Sequence, residues 1–457
     1  MAKQKYDYDL IVIGSGAGGS VTADIAAQAG KRVAMIENDT LGGECPNWGC
    51  VPTKALLHAA NIYDAAKNAQ RFGIRAAAVG YNYPTIKAWK DLAIKRTGAA
   101  NSEKYYQSQG ITLFRGAAHF ISPHEITVNR RHLSAANFLV ATGSHWNIPD
   151  IEGLDTVPYL TARTAIDLVR PPKSLFIIGG GSVGCEFTEL FSTFGSKVFI
   201  ADVAPRLLSK EDSEVSEVIE RQFHDERGVQ ILTKTKVIRV AKEGVIIRVT
   251  YLRGGEEHTV KVDQLMIASG KLPTTDLGLE NAGIEYSGKG IDVDDYLQTT
   301  AKHIFAAGDV LGRYMFTHMG VYEGRIVANN LLHRNKIAPD YKAVPRVTFT
   351  TPEVASVGMT ESDCLRHDLA INKGLAPLNI IGRSNANDMR EGFAKVIVDK
   401  KGVLIGATVV APHAGEIIHE LTLAIQHGMT AADISNTLHA FPTWSEVVRV
   451  ACAKVTS

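Results

Sequence analysis

The sequence is poor in cysteine, in net charge and in long apolar runs, and each shortage excludes a class of protein. Its five cysteines in 457 residues, Cys45, Cys50, Cys185, Cys364 and Cys452, are too few and too scattered to staple a secreted disulfide framework. One functional pair with three bystanders is the simpler account. Lysine and arginine number 49 against 48 acidic residues, a net charge of +1, so nothing in the composition attracts nucleic acid or an anionic membrane. No apolar run approaches the roughly 20 residues that span a bilayer, and Met1 to Asp9 contains neither an apolar signal region nor a cleavage site. The expectation is a cytoplasmic protein with no membrane or nucleic-acid partner and no resident metal. A 45% apolar, 21% charged composition is that of an ordinary globular protein, and the length suits roughly three domains.

What the chain does have is a duplicated pattern. Leu10-Ile11-Val12-Ile13 reads as a short buried strand feeding Gly14-Ser15-Gly16-Ala17-Gly18-Gly19, followed by an Ala-rich helical stretch and the strand Arg32 to Ile36, which ends at Glu37. The glycines Gly14, Gly16 and Gly19 allow a tight turn and close approach of a pyrophosphate to a helix N-terminus, and Glu37 can accept hydrogen bonds from a ribose. A lone Gly-x-Gly-x-x-Gly is weak evidence, but strand, glycines, helix, strand and carboxylate together form a complete βαβ dinucleotide fingerprint. The pattern recurs where Leu175-Phe176-Ile177-Ile178 leads into Gly179, Gly181 and Gly184 and the strand Lys197 to Ala201 ends at Asp202. Each half also has a later strand closing in a small-residue turn, at Thr142-Gly143 and at Ser269-Gly270. These turns mark where the chain leaves one nucleotide domain.

The second site's carboxylate suits the free 2′-hydroxyl of NAD and would repel the 2′-phosphate of NADP, so Asp202 favours NAD(H) over NADP(H). Arg206, four residues on, could reach a phosphate from the following loop. Between the two fingerprints lies Gly42-Gly43-Glu44-Cys45-Pro46-Asn47-Trp48-Gly49-Cys50-Val51-Pro52-Thr53-Lys54. Pro52 suits a first helical turn, which puts Cys50 at a helix N-terminus, where the macrodipole and unpaired amides favour a thiolate. Cys45 lies one turn back, within bridging reach. Spacing alone does not exclude two buried reduced cysteines.

Gly-Gly-x-Cys-x4-Cys-x-Pro-x-Lys resembles the redox segment of the class I pyridine nucleotide-disulfide oxidoreductases, the family of dihydrolipoamide dehydrogenase, glutathione reductase and mercuric reductase. The resemblance implies an α/β fold of two Rossmann-like domains, one for FAD and one for NAD(P), plus a C-terminal α+β interface domain. The implied spans are 1–150 and 273–343 for FAD, 151–272 for the nicotinamide nucleotide and 344–457 for the interface. His303 to Val310 closes on Gly308-Asp309, and Asp309 would bond the ribityl chain. Gly43, Lys54, Ala118, Thr142, Gly143 and Thr317 fall at flavin-site positions, and Gly270 joins the nucleotide site. Cys50 would face the flavin and Cys45 would exchange with a disulfide or dithiol substrate. Lys54 and Glu186 match the lysine-glutamate pair near flavin N5. Phe349 to Glu361 resembles the opening of the interface domain, which implies a homodimer.

One departure stands out. Leu438-His439-Ala440-Phe441-Pro442-Thr443-Trp444-Ser445-Glu446 places Phe441 where the family's disulfide reductases carry the acid-base histidine. Its orienting partner, Glu446, remains. Phenylalanine carries no proton, so a contribution of about 100-fold to 10,000-fold in rate is missing from that position. His439 could substitute, although relatives with the catalytic histidine also carry one at this position. The expected substrate is a dihydrolipoamide-like disulfide or dithiol, with a metal ion as in mercuric reductases, or a quinone reduced directly from flavin, as the alternatives. Cys452 stands alone where mercuric reductases have a C-terminal cysteine pair, and no metal-binding domain precedes Gly14. Soluble transhydrogenases also lack the histidine, but they lack the cysteine pair too. A docking role in a multienzyme complex finds no lipoyl domain or linker to support it.

Overall fold

A computed structural model describes residues 6–76, 78–98 and 102–455; Met1 to Lys5, the start of the segment read for a leader, lie outside these. The chain divides into two compact units. The first comprises residues 1–55, 85–147 and 270–339. Its centre is β1 (Tyr8–Ile13), with β2 (Val33–Glu37) parallel on one side and the strand Arg131–Val140 parallel on the other. Thr112–Arg115 extends the sheet beyond β2, and Ile304–Ala306 pairs with Phe138 to Val140. Leu10 to Ile13 are at most 3% exposed, as the unbroken apolar run requires of a parallel strand covered on both faces.

Gly16 caps α1 (Ala17–Gln28). This helix packs on the helix Thr317–Leu332 with almost no side chain between them: a Cβ on Gly324 would stand 2.5 Å from the Gly18 carbonyl oxygen. Thr22 Oγ1 donates to the carbonyls of Gly18 and Gly324, 2.9 Å each. That close crossing fixes where Thr317, the first residue of its helix, comes to lie. The chain leaves the unit after Asn147 and re-enters at Gly270, and the strands at these points, Ser144–Trp146 and Lys271–Pro273, pair antiparallel as a short ribbon.

The second unit comprises residues 56–84, 148–269 and 340–457. Its parallel sheet runs in the order Gln230–Leu232, Lys197–Ala201, Ser174–Ile178, Gln264–Ile267. A five-stranded antiparallel sheet, from Arg346–Thr348 to Asn372–Pro377, forms the C-terminal part. Thr348 Oγ1 bonds Ser182 Oγ at 2.8 Å, and Arg346 grips Glu211 with Nε–Oε1 at 2.7 Å and Nη2–Oε2 at 3.0 Å. These contacts join the C-terminal sheet to the second nucleotide fold within one unit. The stretch 56–84, which the sequence places in the first nucleotide domain, also belongs here, because Tyr63, Tyr81 and Tyr83 pack around the Phe194 ring. Among the described residues, no helix is long and apolar enough to cross a membrane.

Candidate functional site

The two glycine turns are built alike. In the first, Gly14 has φ +103° and a Cβ there would lie 2.2 Å from the Ala141 carbonyl oxygen; in the second, Gly179 has φ +116° and a Cβ would lie 2.3 Å from that of Ala268. Gly19 and Gly184 each sit so close to the first glycine of their turn that a Cβ would fall 1.9 Å from its carbonyl oxygen. By contrast, a Cβ on Gly16 or Gly181 would meet nothing within 4 Å. Both residues are helix N-caps without a side-chain cap, and no acidic residue occupies either first turn. Uncapped amides facing open space at a helix N-terminus suit a pyrophosphate.

The carboxylates are held alike too. Glu37 accepts from the amides of Ser15 at 3.0 Å and Asp39 at 2.8 Å, and from Ser15 Oγ at 2.6 Å. Asp202 accepts from the amides of Gly180 at 2.5 Å and Ala204 at 2.7 Å. A carboxylate has about four acceptor positions, so each keeps capacity for a ribose hydroxyl. The residues present therefore fit a dinucleotide in each half. Arg206 does not reach toward a phosphate beside Asp202: its Nη1 donates to Ser216 Oγ at 3.1 Å and the Leu208 carbonyl at 3.4 Å.

The redox turn is braced against the first of these sites. Gly43, at φ +70°, would put a Cβ 2.8 Å from Gly16 Cα, and the Gly42 amide donates to Ser15 Oγ at 3.1 Å. Asn47 Nδ2 donates to the carbonyls of Leu41 and Gly43. These bonds hold α2 (Glu44–Asn47), a single turn carrying the half-buried Cys45. Cys50 opens α3 (Cys50–Lys67), as Pro52 predicts, and Lys54 follows one turn later.

The two cysteines stand as a dithiol. Hydrogen bonding to Cys50, burial and the Cys50 charge push the Cys45 thiol up, while a hydrogen bond from Thr317 works in the opposite direction. Thr317 Oγ1 is also 3.5 Å from Cys50 Sγ. Burial and the neighbouring sulfur thus favour the protonated form of Cys45.

Asp309 Oδ2 accepts from Ser144 Oγ at 2.6 Å, and the buried Glu323 receives the Gly308 amide at 2.7 Å. Thr142 Oγ1 donates to the Thr274 carbonyl at 2.7 Å, which returns the Thr274 amide to Gly143. Ala118 is buried at the start of a strand, and Gly270 turns at φ +96° with open space beside it. In the second unit Glu186 is 6% exposed and accepts the Phe349 amide at 3.1 Å. Ser144 and the Gly18–Gly324 contact escape sequence reasoning, since each acts through a partner far along the chain.

Near the C-terminus, Phe441 is 75% exposed. Glu446 opens the last helix, and its buried Oε2 has no hydrogen-bond partner. His439 Nδ1 lies 2.9 Å from the Thr437 carbonyl, while Nε2 lies 3.0 Å from Glu420 Oε1 without a hydrogen bond. Its side chain is 6% exposed.

The family profile described as pyridine nucleotide-disulphide oxidoreductase matches residues 8–324, and the profile of that family's dimerisation domain matches residues 344–452. The mercuric reductase of Streptomyces lividans is 37% identical, covering 98% of this chain and 96% of that protein. The dihydrolipoyl dehydrogenase of Geobacillus stearothermophilus is 34% identical over 96% of this chain and 94% of its own. Among solved structures, the Cu(II) complex of the HOCl-induced flavoprotein disulfide reductase RclA from Escherichia coli superposes with a TM-score of 0.88 at 30% identity, over 99% of this chain and 100% of that one.

Proposed function

Because the chain belongs to the pyridine nucleotide-disulphide oxidoreductase family, whose members use FAD and NAD(P)H, we propose that it is an NAD(H)-driven reductase. In this reading its Cys45–Cys50 pair hands electrons to a thiophilic metal ion. Gly14, Gly16, Gly19, Glu37 and Asp309 would hold FAD, which when bound would supply hydride acceptance from NAD(H) and two-electron transfer to the cysteines. Gly179, Gly181 and Gly184 would hold the nicotinamide nucleotide, and the backbone-anchored Asp202 favours NAD(H), since Arg206 is committed to Ser216 and Leu208. Lys54 and Glu186 would set the electrostatics around the flavin.

What supports the choice of acceptor is the half-buried Cys45, whose thiol is pushed up by hydrogen bonding to Cys50 and by burial, together with Phe441 where the family's base would stand. To attack a disulfide, Cys45 must first lose its proton, and the exchange then forms a mixed disulfide that Cys50 resolves, releasing the acceptor as two thiols. A metal ion needs no protein base, because binding to the two sulfurs itself displaces the thiol proton to water. The names of the mercuric reductase relatives and the Cu(II) complex of RclA support the same class of acceptor. The second reading, exchange with a small dithiol or disulfide, is supported by the dihydrolipoyl dehydrogenase relatives. The matched dimerisation domain and the exposed Phe441 support a homodimer.

The test is NADH oxidation by the FAD-loaded protein with Cu(II), Hg(II) and lipoamide as acceptors, for the native chain and Cys45→Ser. Metal-dependent turnover that exceeds lipoamide turnover and vanishes in Cys45→Ser is expected. Turnover insensitive to Cys45→Ser with every acceptor, including quinones, contradicts the proposal.

A further inference from the structure

Glu44 precedes Cys45 in the sequence and reaches back to the ribbon where the chain enters and leaves the first unit. Its Oε2 is ion-paired with Lys271 Nζ, 227 residues away. Lys271 lies directly opposite Trp146 in the ribbon register, with Nζ 5.0 Å from the Trp146 ring centroid. Both side chains are partly shielded, at 32% exposed for Glu44 and 20% for Lys271. The backbone around Glu44 is fixed as well, because its carbonyl accepts the amides of Trp48 and Gly49, both at 2.8 Å.

A four-residue helix has no stability of its own, so α2 keeps its place only through such ties. The tie made by Glu44 also carries charge. A carboxylate one residue from a thiol would repel an anionic partner approaching that sulfur, and near a protein surface such a charge is felt over several ångströms. The Lys271 ammonium, held by the carboxylate on one side and the Trp146 ring on the other, cancels it.

We infer that Glu44 and Lys271 form a specificity-determining pair that keeps the approach to Cys45 electrically neutral, so that anionic and uncharged acceptors reach the sulfur on equal terms. Neither residue touches the acceptor; both act through the field at Cys45 and the seating of α2. The inference rests on Cys45 being the exchanging thiol, but its test does not require turnover.

The test is alkylation of Cys45 in a Cys50→Ser background, where the thiolate displaces iodide from anionic iodoacetate or from neutral iodoacetamide and the modified site is located by peptide mass analysis. Cys185, Cys364 and Cys452 are buried. The readout is the ratio of the two rate constants. Lys271→Met leaves Glu44 uncompensated and lowers the iodoacetate-to-iodoacetamide ratio by about threefold to tenfold. Lys271→Arg holds the ratio at the parent value. Glu44→Gln leaves Lys271 uncompensated and raises the ratio, and it reverses the drop when added to Lys271→Met. Overall slowing with the ratio unchanged in both Lys271→Met and Glu44→Gln would reduce the pair to a structural tie and overturn the inference. That outcome is distinct from failure of the redox assignment, which appears only in Cys45→Ser turnover.

Discussion

The Thr317 hydroxyl lies 3.5 Å from the sulfur of Cys50 and also hydrogen-bonds Cys45, where it opposes the upward push of burial and of Cys50. It is delivered by the glycine-lined crossing of α1 with the helix Thr317–Leu332. Thr317→Val keeps the shape and removes the donor. The Cys45 thiol then rises further, and its alkylation by iodoacetamide at pH 7 slows by about threefold to tenfold, the effect of losing roughly one net hydrogen bond. A pH profile of alkylation shifted to higher pH checks this, and an unshifted profile assigns Thr317 to packing alone.

Phe441→His supplies the proton carrier missing beside Glu446, whose buried Oε2 lacks a partner. NADH-dependent reduction of lipoamide is expected to rise by about tenfold to 100-fold, toward the usual range of a general acid-base residue. Metal-ion reduction should change little, because no base is needed there. Stopped-flow rates with both acceptors separate the two. A folded, FAD-loaded variant without gain for lipoamide would mean that proton transfer does not limit the disulfide route.

Much of this was legible in the sequence because it is local. Gly14 to Glu37 and Gly179 to Asp202 carry strand, turn, helix and carboxylate within one βαβ unit, and Pro52 marks the helix that opens at Cys50. What the sequence hides is contact at long range. Glu44 and Lys271 are separated by 227 residues, and no periodicity links Gly18 to Gly324. Arg206 reads as a possible phosphate ligand from spacing alone, yet its guanidinium turns to Ser216 because that hydroxyl stands within its reach. The neighbours of His439, the Thr437 carbonyl and Glu420, are likewise set by the fold.

Asp202→Ala removes both the proposed ribose acceptor and the bonds that close the second turn at Gly180 and Ala204. A fall in kcat/KM for NADH of about tenfold or more is expected, corresponding to one or two hydrogen bonds, with a smaller change for NADPH. Equal losses for the two nucleotides would refute the proposed NAD(H) preference.

Lys395 is 1% exposed and ion-paired with Asp212 at 3.1 Å, Glu214 at 2.9 Å and Glu361. Burial pushes the Glu214 and Glu361 carboxyls up, but hydrogen bonds from Lys395, joined by Lys373 at Glu361, hold both below the ordinary value. Their stabilisation is therefore present above the unfolded carboxylate pKa of about 4 and is lost as pH falls through the lowered folded value. Lys395→Met leaves the acidic cluster uncompensated and destabilises by about 3 to 5 kcal/mol at neutral pH. In the variant Glu214 loses its Lys395 bond while Lys373 still holds Glu361, so the carboxyls rise from their lowered values and part of the lost stability is regained on acidification. Thermal midpoints should differ most at pH 8 and least at pH 5; a constant difference would contradict the charge argument.

The central claim is that Cys45 and Cys50 exchange two electrons with FAD. An anaerobic titration of the purified FAD-loaded protein with NADH, counting reducing equivalents, tests it most directly. Uptake of about four electrons per FAD in the native chain and about two in Cys45→Ser is predicted, two for the flavin and two for the cysteine couple. Uptake of about two in both proteins would mean that the cysteines take no part in the redox chemistry.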